Sequence, residues 1–317
     1  MLRFVASRCV HAIPVLIGVS LIAFLILRLA PGDPVQLMLP SHATRDEIEE
    51  LRASLGLDRP LAMQYVLWLG QVLQGNLGKS LFTSGPVLHE LLERFPNTLV
   101  LTCAAIGVAV LLGMPLGILA AARRGTAVDA GSMVASVIGW SMPNFWIGLI
   151  LVIVFSVWLR WLPTGGMYDI MAEDRAFGDL LRHLVLPTIT LAVGHMAYVA
   201  RFTRSSLLEA LSQDYIRTAR AKGLHECLVI LRHGLRNSLI PIISVLGVSI
   251  GHLLGGAVIV ETVFSWPGLG SLMVHSIMNR DFPVVQGAML FAAVVFIVVN
   301  LGADLLYAVV DPRIRFR

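Results

Sequence analysis

Gly78-Lys79-Ser80 has the ending of a phosphate-cradling loop, in which backbone amides surround a nucleotide's phosphates and the lysine reaches the terminal ones. That pattern needs a glycine five residues before Gly78, and Leu73 stands there. Nucleotide hydrolysis through such a loop is excluded, so any ATP-derived work must come from another chain. The nine histidines form no HExxH or other close ligand set. His195, His252 and His275 therefore read as helix-surface or pore-side residues, and no metal site is expected. Cys9, Cys103 and Cys227 are far apart and make neither a CxxC pair nor a disulfide framework. No serine, histidine and acid set suggests a hydrolase. Two acids stand near apolar blocks. Asp304 lies inside one, near its inner end, where an intramembrane carboxylate is costly and pairing with an inner-side arginine is expected. Glu261 opens an outer loop and is expected to be solvated.

The segment whose pattern does suggest a task is 206–237. Leu208, Leu211, Tyr215 and Ala219 recur at helical spacing and predict one apolar face, with Arg217, Arg220 and Lys222 on the others. Gly223 is a natural stop, since a residue without Cβ turns the chain easily. A second basic stretch follows, through Arg232-His233-Gly234-Leu235-Arg236-Asn237. A helix of this kind can fill a groove in a partner protein while its rim charges set the register. It can equally lie on anionic lipid. Pattern alone leaves both readings open.

The elements that must carry this segment are apolar. Hydrophobic residues make up 56 % of the 317-residue chain and charged ones 14 %, against about a quarter in a soluble domain. Mean hydropathy is +0.79. The apolar residues gather in six blocks, 9–27, 98–121, 131–159, 184–200, 239–260 and 284–309. Each approaches the length at which a helix crosses the roughly 30 Å hydrocarbon core of a bilayer. Pro14, Pro115, Pro143 and Pro187 kink four of them. The first block has no small-residue cleavage pattern after it and is expected to be a retained span. Block 131–159 holds the Ser141-Met142-Pro143-Asn144 break, either a kink within one span or a short re-entrant piece.

Charge sets the orientation. With the N-terminus inside, the inner segments hold fourteen Lys and Arg against five acids, and the outer ones ten against fourteen. This bias predicts both termini in the cytoplasm. Residues 30–97 then form an outer segment and 201–238 a cytoplasmic loop. Within the outer segment, Thr44-Arg45-Asp46-Glu47 reads as a capping box for a short amphipathic helix carrying Ile48, Leu51 and Leu55 and ending near Gly56. That helix is either a lid or a docking surface.

Several motifs in order extend the reading. Tyr215-Ile216-Arg217-Thr218-Ala219-Arg220-Ala221-Lys222-Gly223-Leu224, followed by His233-Gly234-Leu235-Arg236-Asn237, resembles the cytoplasmic loop of ABC importer permeases of the dipeptide/oligopeptide/nickel class. Pro31-Gly32-Asp33-Pro34, Leu55-Gly56-Leu57-Asp58 and Phe264-Ser265-Trp266-Pro267-Gly268-Leu269-Gly270 are similar to that family's motifs. So are Arg280-Asp281-Phe282-Pro283-Val284-Val285-Gln286 and Asp311-Pro312-Arg313-Ile314-Arg315. The resemblance covers nearly the whole chain.

It implies an all-α polytopic membrane protein of the bacterial inner membrane, with six transmembrane helices in the type I ABC importer permease fold. It implies lipid around the chain, a second homologous permease, two ABC ATPase subunits that bind ATP and Mg, and an extracytoplasmic solute-binding protein. It implies no nucleic-acid partner, no cofactor in this chain and no enzymatic role of its own. Tyr215 through Leu224 would couple to the ATPase. Where permeases generally carry an "EAA" pattern before the glycine, Arg217-Thr218-Ala219 stands, and the arginine resembles the peptide/nickel branch. Di- or oligopeptides are the expected cargo, with glutathione and nickel or metal chelates as alternatives. A self-sufficient secondary transporter would instead show several intramembrane charges and internal repeats.

Overall fold

A computed structural model describes residues 2–29, 44–46, 49, 58–169 and 176–310. Their secondary structure is helical. We label α1 Leu2–Leu29, α2 Leu61–Leu73, α3 Val87–Ala122, α4 Ala127–Ser141 and α5 Asn144–Leu151. Then follow α6 Phe177–Leu211, α7 Asp214–Ala221, α8 Arg236–Val263, α9 Leu269–Met278 and α10 Phe282–Val310. Five of the six apolar blocks lie within these helices, and block 131–159 runs through α4 and α5 into the turns beyond. Among the described residues, three helices are long and apolar enough to cross a membrane: Val87–Ala122, Phe177–Leu211 and Phe282–Ala303. The pair α4 and α5 passes the same test together and is bent by 100°.

The bend has a local cause. Met142 precedes a proline, which disfavours helical backbone there, and it sits extended at φ −77° and ψ 130°. Its amide closes the last turn of α4 on the Ile138 carbonyl, 3.2 Å away. The helix restarts at Asn144 and loosens into π-type turns over Val152–Trp158.

The chain divides into two compact units. The first comprises Met1–Phe95 and Leu272–Ile297. In it the Ser20 hydroxyl meets the Tyr65 hydroxyl at 2.8 Å, and Phe24 packs on Tyr65 and Trp68 with ring centroids 5.4 and 5.7 Å away. The Gln286 amide donates to the Ala23 carbonyl at 3.0 Å, tying α10 to α1. Asp281 is buried and accepts from the Ser80 hydroxyl at 2.5 Å and from the Leu81 amide at 3.1 Å. The Gly78-Lys79-Ser80 stretch is thus a tight structural loop whose serine is committed to Asp281. Helix α2 was not among the sequence expectations. The amphipathic helix expected from Thr44 rests on Glu47, Ile48, Leu51, Leu55 and Gly56, which lie outside the described residues. Pro31 to Pro34, Leu55 to Leu57 and Asp311 to Arg315 lie outside them too.

The second unit comprises Pro96–Ser271 and Val298–Arg317. Its core joins Leu101, Ala105 and Ala109 of α3, Leu186, Leu191 and Ala192 of α6, and Leu253, Ala257 and Val260 of α8. Phe264 and Trp266 close it. Small residues set the approach of α3 and α6. A Cβ on Gly113 would come within 2.7 Å of the Met196 carbonyl oxygen, and one on Gly117 would strike the Ala200 carbonyl and the Thr203 Cβ. This small-xxx-small spacing lets two helices pack backbone to backbone. Moving up α3 from Gly113 to Gly117 also moves up α6 from Met196 to Ala200 and Thr203. The two helices therefore run in the same direction.

Candidate functional site

The basic segment singled out by sequence leaves α6 at Leu211. Ser212 and Gln213 break the helix, and α7 starts at Asp214. This corrects the single apolar face read through Leu208, Leu211, Tyr215 and Ala219. The break resets the angular register, so Leu208 and Leu211 belong to one helix and Tyr215 and Ala219 to another. On α7 the inward side is Ile216 and Ala219, both buried with Val229 and packed by Leu211 and Leu224. Tyr215 is exposed instead. The apolar side of α7 is thus covered by its own chain. What α7 and its cap leave open is mostly polar or aromatic: Asp214, Tyr215, Arg217, Thr218, Arg220 and Lys222, with Ala221 the one apolar side chain.

Gly223 ends α7 as its type demands. Its φ is +75°, in the left-handed region where a Cβ is penalised, and its amide donates to the Arg220 carbonyl at 2.9 Å. Across this turn Arg220 grips Glu226 with both ends of its guanidinium, Nη2 to Oε1 at 2.6 Å and Nε to Oε2 at 3.1 Å. The Arg220 hydrogen bonds hold the Glu226 carboxyl below its ordinary range. Arg217 is 79 % exposed and only 3.5 Å from the equally open Asp214, a pair of little energetic weight. Of the two arginines singled out by sequence, Arg217 stands open and Arg220 clamps the loop.

The second basic stretch is also explained by packing. From Glu226 the chain passes through π-type turns at Val229–Leu235 into α8. Gly234, within the His233-Gly234-Leu235-Arg236-Asn237 motif, sits so close to α6 that a Cβ would approach Leu207 Cδ1 to 2.9 Å and Leu211 Cδ2 to 3.0 Å. Leu207 and Ile230 are buried with Ala121, which roots the loop in the ends of α3 and α6. Beside it Asp129 of α4 is buried and receives Arg204 of α6 at 2.5 and 2.8 Å, plus the Gly125 amide at 3.0 Å. Sequence reading counted Asp129 only as an inner acid. Its place at the start of a helix just after Gly125-Thr126 was the available signal.

At the other end of α8, Glu261 overturns its sequence reading. It is not solvated: its exposure is 0 %. It accepts from the Thr98 hydroxyl at 2.7 Å and from the Gly270 and Ser271 amides at 2.7 and 3.0 Å. The Phe264-to-Gly270 motif wraps over it, because a Cβ on Gly268 would strike its carboxyl group. Trp266 is buried and donates from Nε1 to the Asn97 carbonyl at 2.9 Å, while Asn97 donates to the Pro267 carbonyl at 2.8 Å. Thr98 lies 163 residues from Glu261 in sequence, which is why the site was invisible there. The Asp304 and His252 side chains lie outside the described residues. His195 contacts the Leu191 carbonyl at 3.3 Å, and His275 is exposed beside Asn279 and meets the Phe82 ring edge-on, with centroids 5.9 Å apart.

The segment is thus a short helix ended by a left-handed glycine, clamped by an arginine and packed against the ends of two long apolar helices. A family profile described as "Binding-protein-dependent transport system inner membrane component" matches residues 113–316. The chain belongs to that family. A second profile, for the N-terminal part of such membrane components, matches residues 1–102. Among curated relatives of this permease, the oligopeptide transport system permease protein AppB of Bacillus subtilis is 44 % identical over 317 residues, covering 100 % of both chains. The di/tripeptide transport system permease protein DppB of Pseudomonas aeruginosa is 45 % identical over 333 residues, covering 99 % of each. The glutathione transport system permease protein GsiC of Escherichia coli K12 is 44 % identical over 317 residues, covering 100 % of both. In structure, the permease resembles a chain of the MetNI methionine ABC transporter, with a TM-score of 0.57, 17 % identity, and coverage of 70 % of this chain and 96 % of that one. The last likeness establishes the fold, a type I ABC importer permease.

Proposed function

We propose that this chain is the translocation subunit of an ATP-driven importer of di- or oligopeptides. The observation that carries the reading is full-length identity of 44 and 45 % to peptide permeases, with the α7–Gly223 projection intact. Residues Tyr215 to Leu224 are the ATPase-coupling site, and within them Tyr215, Arg217, Thr218 and Lys222 supply the docking surface. A glutathione cargo remains the second reading, favoured by the 44 % identity to GsiC.

The family supports the partners of this reading. Two ATPase subunits bind ATP and Mg, a second homologous permease completes the pathway, and a solute-binding protein delivers cargo at the outer face of the inner membrane. Closure of the ATPase pair moves α7. Because α7 is rooted through Leu207, Leu211 and Ile230, its displacement reaches α3, α6 and α8 as a unit. The spans shift between two packings whose populations the nucleotide biases. Six spans with both termini inside fit the parallel packing of α3 and α6, which requires an odd number of crossings between them. The bent pair α4 and α5 supplies one.

The test is uptake of a radiolabelled tripeptide into proteoliposomes holding this permease with its partners. ATP-dependent uptake is expected with the whole assembly and none with this chain alone. Uptake by this chain without an ATPase would overturn the proposal in favour of a secondary transporter.

A further inference from the structure

Residues 160–169 and the start of α6 line an open cleft of about 590 Å³, within the range of small-molecule sites. Its wall is fixed in place. The Trp161 and Leu162 amides donate to the Phe155 carbonyl at 2.9 and 3.3 Å, and the Gly166 amide donates to the Phe264 carbonyl at 2.7 Å. The Ser156 hydroxyl donates to the Pro163 carbonyl at 3.0 Å.

The charges around it are unevenly satisfied. His183 is only 7 % exposed and lines the cavity. Its Nδ1 faces two acceptors, the Asp179 carbonyl at 3.0 Å and the Asp179 carboxylate at 3.2 Å. Nδ1 therefore carries the proton, and Nε2 is the ring atom left for a ligand. The other Asp179 oxygen accepts the Asp169 amide at 2.7 Å. With Asp179 so engaged, Arg160 and Arg182 line the same cavity with no acid holding either among the described residues. Trp161 and Tyr168 add aromatic faces. A structural ion-pair network would set these arginines on the acids nearby. Two acids line the cleft, Asp169 and Asp179; Asp179 braces a histidine, and neither holds a guanidinium among the described residues.

We propose that this cavity binds short peptides with free termini. Arg160 and Arg182 take the terminal carboxylate, for which the guanidinium fork is suited. His183 Nε2, its partner nitrogen braced by Asp179, accepts from the terminal ammonium. Trp161 and Tyr168 cover the apolar middle. The inference rests on the reading of the chain as a peptide permease and names where on it the cargo is held.

The experiment uses the complete permease–ATPase assembly in detergent, without solute-binding protein. Ala-Ala-Ala is titrated while tryptophan emission is followed, with Trp161→Phe identifying the responding ring. Saturable binding is expected. N-acetyl-Ala-Ala-Ala-amide, with both ends uncharged, is expected to bind at least tenfold more weakly, as is Ala-Ala-Ala to Arg182→Gln and to His183→Gln. Arg182 is exposed, so its variant does not put folding at risk. Absence of saturable binding, equal binding of the blocked peptide, or unchanged binding in both variants overturns the proposal. The two readings fail separately. If the assembly imports peptide with wild-type half-saturation in Arg182→Gln and His183→Gln, only the cavity proposal falls. If the wild-type assembly imports no peptide, the functional reading falls.

Discussion

Replacing Gly223 by alanine and by proline separates the conformation of the turn from the space around it. A Cβ at this position meets nothing within 4 Å, so alanine adds no collision. Its cost is conformational: holding an L-residue at φ +75° costs about 1–2 kcal/mol. That lowers the population of the closed turn by roughly 5- to 30-fold relative to alternatives. Proline is different in kind. Its ring locks φ near about −65°, and it has no amide to donate to the Arg220 carbonyl, so the turn cannot form. Co-purification of the ATPase subunits and ATP-driven uptake report the outcome, with membrane insertion followed by protease accessibility of the loops. Gly223→Ala is expected to weaken coupling by up to that factor, and Gly223→Pro to abolish it with the spans still inserted. Normal coupling in Gly223→Pro, or an alanine defect as deep as proline's, would refute the argument.

Three further outcomes follow from the geometry. The Glu226 pKa is lowered in the folded loop by Arg220, so its contribution is present above the ordinary carboxylate pKa and fades as pH falls through the folded value. A spin label on exposed Cys227, the other cysteines replaced, should show constant mobility from neutral pH down to the acidic range and rising mobility below it. Glu226→Gln should be mobile throughout. Glu261→Gln places an amide NH2 where the Gly270 and Ser271 amides or the Thr98 hydroxyl donate, and should cost about 1–3 kcal/mol in thermal unfolding. Gly268→Ala, which drives a methyl into the Glu261 carboxyl group, should be at least as damaging. Gly117→Ala should lower stability by about 1–3 kcal/mol through overpacking against α6, whereas Gly131→Ala, with open space around it, should not.

What could be read in advance was whatever depended on neighbours along the chain. Apolar block lengths marked the long helices, Pro143 marked the break between α4 and α5, and Gly223 marked the end of α7. What depended on distant residues could not be read. Glu261 looks like an acid entering a loop until Thr98 and the Gly270 amide are placed around it. The face of α7 was misassigned because a periodicity continued through Ser212 and Gln213 assumes one helix where there are two. Arg220 and Arg217 have the same side chain and are three residues apart, and only the turn at Gly223 brings Glu226 to one of them. The cavity beside His183 combines residues from a loop and the following helix, with no spacing to advertise it.

The central claim is that this chain moves solute only when α7 receives a partner's motion. Its most direct measurement is tripeptide uptake into proteoliposomes with the ATPase subunits present, absent, or present with Gly223→Pro in this chain. Uptake only in the first case is predicted. Equal uptake in all three would contradict the account.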